Sequence, residues 1–134
     1  MERMAGGALK ILVVEDDDDN RELLAELLRL EGHSVREAAD AERALELAAC
    51  EPFDAVVADV GLPRMDGIAL ARELRRRAPT MAVIAVSGYG DGAELADACG
   101  REVDAVVVKP ADPSRLLAAL AAAVRARRGA RGVP

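Results

Sequence analysis

Glu15, Asp16 and Asp17 directly follow the apolar run Ile11 to Val14, Asp59 follows Phe53 to Ala58, Ser87 follows Met81 to Val86, and Lys109 follows Asp104 to Val108. Carboxylates, a hydroxyl and an ammonium thus stand at the ends of four short runs. If the runs are parallel strands of one sheet, their carboxyl ends share one edge, where open α/β sheets bind ligands. Three or four carboxylates gathered within about 5 Å repel one another by roughly 3 kcal/mol per pair at an effective dielectric near ~20. Such crowding raises a pKa or demands a cation. Lys109 supplies one positive charge. For the rest, an all-oxygen donor set without a His or Cys cluster favours Mg²⁺ or Mn²⁺ over zinc.

These parts suit phosphoryl transfer. Asp59 is the natural nucleophile, Asp16 a direct metal ligand, and Glu15 a ligand through water, while Ser87 and Lys109 would hold phosphoryl oxygens. Gly88 leaves the phosphate room to approach. Of the 18 basic residues, only Lys10 and Lys109 are lysines. A Lys kept at a strand end in so Arg-rich a chain marks a need for a compact ammonium there; Lys10 is expected on an exposed flank.

Positioning these residues requires strict alternation of strand and helix. Leu23, Leu24, Leu27, Leu28 and Leu30 recur at helical spacing over Asn20 to Glu31, with Asp18 or Asp19 as cap and Gly32 as stop. Ser34 to Ala38 reads as a strand, and Asp40 caps a helix through Cys50. A third helix covers about Asp66 to Arg77, with Arg75, Arg76 and Arg77 solvated. A weaker helix is expected over about Asp91 to Gly100, and Pro113 opens a last one toward Arg128, followed by a frayed basic end. The pattern predicts an α/β fold: a doubly wound, five-stranded parallel sheet of order 2-1-3-4-5, flavodoxin-like, with helices on both faces. The order places the first strand beside the third, so Glu15, Asp16 and Asp59 become neighbours.

At 134 residues and 51% hydrophobic content, one compact domain accounts for the chain. We assign it to residues 9–128, with residues 1–8 as an N-terminal segment and 129–134 as a tail. A net charge of −6 argues against direct nucleic-acid binding. No apolar stretch approaches the roughly 20 residues of a membrane span, and no signal peptide opens the chain, so a cytoplasmic protein without membrane contact is expected. Cys50 and Cys99 read as small buried hydrophobes, and His33 as a surface residue.

Taken together, ILVVEDD, AVVADVGLPRMDG, MAVIAVSGYG and VVVKPADP, in that order over about Lys10 to Arg125, resemble the receiver domains of two-component response regulators. The resemblance implies that Asp59 is the phosphoacceptor, fed by a phosphohistidine of a sensor histidine kinase or histidine phosphotransfer protein. It further implies Glu15 and Asp16 as the acidic pair and the Gly61 carbonyl as another Mg²⁺ ligand. Ser87 becomes the switch hydroxyl, and Lys109 the lysine before a proline. Such a domain is not an enzyme acting on external substrates; it assists its own phosphorylation and signals through a downstream protein, as a monomer or weak homodimer. Asp17 has no assigned role.

Two positions depart from the family pattern. Val106 replaces the usual aromatic of receivers that switch by ring rotation, and Glu102 stands where Gly is common, suggesting an altered output face. Gly61 and Tyr89 lie near the expected path of attacking water and suggest slow or partner-dependent dephosphorylation. The main rival from another class is a haloacid-dehalogenase phosphatase, which needs a second acid where this chain has Gly61. A flavodoxin-like cofactor binder would need a Gly-rich turn after the first strand. The full set of site residues argues against a docking module that is never phosphorylated.

Overall fold

A computed structural model describes residues 7–60, 67–88, 102–109 and 112–132, with side chains as far as 129. Gly61, Asp66, Tyr89, Cys99, Pro110 and the expected helix near Asp91 to Gly100 lie outside the described residues. The elements in chain order are β1 (Lys10–Val14), α1 (Asp18–Leu30), β2 (Ser34–Ala38), α2 (Ala41–Cys50), β3 (Ala55–Asp59), α3 (Gly67–Arg77), β4 (Ala82–Ser87), β5 (Ala105–Val108) and α4 (Pro113–Gly132). The strands form one parallel sheet of order β2-β1-β3-β4-β5. This is the expected doubly wound order.

Period-2 alternation sends successive strand residues to opposite faces. Leu12, Val14, Val56, Ala58, Val83 and Ala85 meet α2 and α3 through Ala44, Leu47, Leu70 and Leu74. Ile11, Val13, Val57, Ile84 and Val86 meet α1 and α4 through Ala25, Leu28, Leu116 and Leu120. With both faces covered, β1, β3 and β4 are buried along nearly their whole length, which is why they read as continuous apolar runs.

Local chemistry sets the ends of the helices. The Asp40 side chain caps α2 by accepting from the Arg43 N–H at 2.8 Å. Before α4, the Asp112 carboxylate accepts from the Ser114 N–H at 2.8 Å, with Pro113 in the first turn. Gly32 follows α1 with φ of +96°, a conformation that suits glycine.

Several expectations need correction. The cap of α1 is Asp17, whose carboxylate accepts from the Asn20 N–H at 2.8 Å, because the helix begins at Asp18. Only part of the Leu set faces the core: Leu28 is buried, whereas Leu23 and Leu30 are 67% and 73% exposed. His33 is buried, because the turn at Gly32 folds it under β1, where Nδ1 accepts from the Leu9 N–H at 3.0 Å. Cys50 is exposed, since it ends α2 beyond Leu47, the last residue of that helix in the core. Lys10 pairs with Glu51 and lies over the Phe53 ring.

The basic positions differ as well. Arg75 is not solvated: it ion-pairs with Asp104, and each side chain is only 14% exposed. The C-terminal helix continues to Gly132 past the expected end, held by Arg127 on Asp104.

Candidate functional site

The strand register delivers the site. Val14 of β1 pairs with Ala58 of β3, so Glu15 and Asp59 leave adjacent strands at the same level. Asp59 in turn pairs with Val86 of β4, and Ser87 with Val108 of β5, which places Ser87 and Lys109 one step further across the same edge. The Lys109 N–H donates to the Ser87 carbonyl at 2.7 Å, and the Val60 N–H to the Val86 carbonyl at 3.0 Å. Backbone bonds therefore lock the strand ends together.

Side chains then converge. Oxygens of Glu15, Asp16 and Asp59 lie within 4.8 Å of one another; Glu15 and Asp59 are buried and Asp16 is exposed. The Lys109 ammonium donates to Asp59 Oδ2 at 3.0 Å and stands 3.4 Å from Glu15 Oε1. Ser87 is buried beside them at the end of β4.

Electrostatics mark Glu15 as the strained member. Burial first, with the Asp59 charge and the Asp16 carboxyl adding to it, pushes its pKa up to about 7 against the Asp17 N–H and Lys109, which favour the ionised form. Oε2 accepts from the Asp17 N–H at 3.1 Å, whereas buried Oε1 makes no hydrogen bond. At Lys109, burial opposes the charge, but the Asp59 hydrogen bond and the Asp59 and Glu15 charges outweigh it and raise the pKa. Among the described residues, one ammonium serves two buried carboxylates. The unsatisfied oxygen and the hard-oxygen donor set both fit a divalent cation such as Mg²⁺, with Asp16 on the solvent side.

Sequence spacing identified Glu15, Asp16, Asp59, Ser87 and Lys109, and the fold brings them to one edge. Gly61 lies outside the described residues. Gly67 has no room for a side chain: a Cβ built on it would collide with the Asp59 carbonyl oxygen and fall 2.8 Å from the Val60 Cα. Its N–H donates to the Val60 carbonyl at 2.8 Å, so the start of α3 rests on the backbone that bears Asp59. The Gly after Asp66 was the available signal. Arg21 escaped notice because helix periodicity places it on a polar face; its guanidinium reaches back to the Glu15 carbonyl at 3.0 Å.

Comparison with known proteins agrees with this geometry. The family described as response regulator receiver domain matches residues 11–121. The chain is 37% identical over 110 residues to response regulator protein FleR of Pseudomonas aeruginosa, covering 82% of this chain and 23% of that protein. It is 35% identical over 117 residues to response regulator MprA of Mycolicibacterium vanbaalenii, covering 87% of this chain and 51% of that protein. Among solved structures, NtrX from Brucella abortus superposes with a TM-score of 0.86 at 33% identity, over 92% of this chain and 28% of that one. This chain therefore spans from about a quarter to about half the length of these relatives. Helices on both faces of a 2-1-3-4-5 sheet, an acidic pocket at its carboxyl edge and these matches together place the chain in the response regulator receiver domain family, which serves phosphorelay signal transduction.

Proposed function

We propose that Asp59 accepts a phosphoryl group from a phosphohistidine of a sensor histidine kinase or histidine phosphotransfer protein. The observation that carries this reading is the Asp59 carboxylate, buried at the centre of the edge, between the acidic pair and the Lys109 ammonium at 3.0 Å. A carboxylate oxygen of Asp59 bonds to phosphorus as the phosphorus–nitrogen bond to the donor imidazole breaks, and the bonding pair stays on that nitrogen. Glu15, Asp16 and Asp59, with the Gly61 carbonyl, would hold Mg²⁺ or Mn²⁺. When bound, the cation neutralises the crowded acids and the charge on the phosphoryl oxygens.

The chain's own groups do the rest. Glu15 and Asp59 hold the charge of the pocket, and the strand register sets the Asp59 backbone between those of Glu15 and Ser87. Lys109 already sits on Asp59 Oδ2 and is placed to hold a phosphoryl oxygen, with the Ser87 hydroxyl taking another. A phosphoryl group adds about −1.5 to −2 charges at this edge, a local change able to bias the surrounding loops. The signal then passes to a downstream protein by contact, without turnover of an external substrate, direct nucleic-acid binding or membrane attachment. We assign the receiver to residues 9–128, acting in the cytoplasm as a monomer or weak homodimer.

Intact-mass measurement after incubation with MgCl₂ and acetyl phosphate tests the assignment. One added phosphoryl group is expected on the wild type and none on Asp59→Asn. Equal labelling of both proteins would transfer the acceptor role elsewhere.

A further inference from the structure

The loop joining β1 to α1 carries two of the three clustered carboxylates, and its backbone is tied at an unexpected point. The Glu15 N–H donates to the Ala38 carbonyl at 3.1 Å, continuing the pairing of β1 with β2. The Glu15 carbonyl lies beyond the end of β1 and belongs to the peptide that joins Glu15 to Asp16. Arg21 Nη1 donates to it at 3.0 Å. The same guanidinium donates from Nη2 to Asp18 Oδ1 at 2.6 Å and stands 3.5 Å from Glu37 Oε1 by way of Nε. Glu37 is held in turn by Arg29 at 3.1 Å, and Arg29 donates to the Val35 carbonyl at 2.9 Å. The Arg21 side chain is only 15% exposed, and its three nitrogens serve three separate partners, an arrangement that a single ammonium cannot reproduce.

Resting on the metal-site assignment above, we infer that Arg21 is a positioning residue for the Mg²⁺ site. It holds the plane of the Glu15–Asp16 peptide, so that the exposed Asp16 carboxylate starts from a fixed backbone. The backbone of Arg21 contributes to the same loop, because its N–H donates to the Asp17 carbonyl at 2.9 Å and closes the first turn of α1. Without the guanidinium, the peptide is free to rotate, and capturing the cation must first immobilise it.

The sign of the effect separates positioning from charge. If Arg21 acted only as a nearby positive charge, its removal would tighten cation binding by the acids. If it positions the loop, its removal weakens binding. Calorimetric titration of the metal-free 134-residue chain with MgCl₂, for wild type, Arg21→Met and Arg21→Lys, reads this directly. The cost of ordering one peptide corresponds to an affinity for Mg²⁺ about tenfold weaker in Arg21→Met, with Arg21→Lys between the two.

Hydrogen exchange on the metal-free proteins supplies a readout independent of the cation. The Asp16 and Asp17 amides are expected to exchange faster in Arg21→Met. Should that variant not fold, Arg21→Lys carries the test, because its charge is kept and weaker Mg²⁺ binding then reports lost positioning alone. Affinity equal to or tighter than wild type in the folded variant overturns the inference alone. Failure of the wild type to take up Mg²⁺ overturns the site assignment and this inference with it.

Discussion

The two ends of the sheet each hold carboxylates, half-buried at the amino end and buried at the carboxyl end, and they treat them oppositely. At the amino end, Asp104 receives four hydrogen bonds: Arg75 Nη2 and the Val83 N–H on one oxygen, Arg127 Nε and Nη2 on the other, at 2.8 to 3.0 Å. Arg127 also donates to the Pro79 carbonyl at 3.3 Å, so one carboxylate ties α3, β4 and α4 together. At the carboxyl end, among the described residues, Glu15 and Asp59 share one ammonium, and Glu15 Oε1 makes no hydrogen bond. A half-buried carboxylate with both oxygens paired fastens the fold, whereas the buried, under-satisfied one of Glu15 keeps a place for a ligand.

Breaking the satisfied end should produce the largest loss of stability. Asp104→Asn removes the carboxylate charge that Arg75 and Arg127 share, and a loss of about 3 kcal/mol is expected in urea denaturation. Phosphoryl uptake by the fraction that stays folded should match wild type. Impaired uptake at full stability would mean that the two ends are not separate in role.

The under-satisfied end should show itself through pH. Because the folded pKa of Glu15 is raised from 4.5 to about 7, the folded state binds this proton more tightly than the unfolded chain. Its contribution to stability is complete below about pH 4.5 and is lost as pH rises through about 7, a swing on the order of 3 kcal/mol. Metal-free protein is thus expected to lose stability across that window, and Glu15→Gln to flatten the slope. Thermal melts at several pH values with chelator present check this; a wild-type slope unchanged in Glu15→Gln would remove the contrast between the ends.

Two smaller effects sharpen the picture. In Gly67→Ala the new Cβ meets the Asp59 carbonyl, so a loss of about 2 kcal/mol is expected, together with slower labelling by acetyl phosphate. A loss of stability with unchanged labelling rate would show that the backbone at Asp59 tolerates the shift. Asp17→Ala removes the α1 cap and should cost about 1 kcal/mol in urea, with Mg²⁺ affinity by calorimetry weakened less than in Arg21→Met.

Much of the site was legible because strand ends are one-dimensional signals. Once Glu15, Asp16, Asp59, Ser87 and Lys109 terminate parallel runs, the topology must gather them. Arg21, Arg75 and His33 were not legible in the same way. Each looks like a surface residue by local spacing, and each owes its role to a partner outside its own element: the Glu15 carbonyl, Asp104 and the Leu9 N–H respectively. The Leu repeat of α1 shows the same limit. Its period announced a helix, but not that Leu28 would face the sheet while Leu23 and Leu30 would face away.

Apolar periodicity and turn residues by themselves determined the alternation of elements, the parallel sheet and the set of residues at its carboxyl edge, because these follow from the geometry of a chain with its neighbours. Tertiary structure alone decided how many donors each charge received. Satisfaction of a charge depends on groups far apart in sequence: four hydrogen bonds make Asp104 a structural clamp, whereas the Glu15 carboxylate, with one, is left receptive.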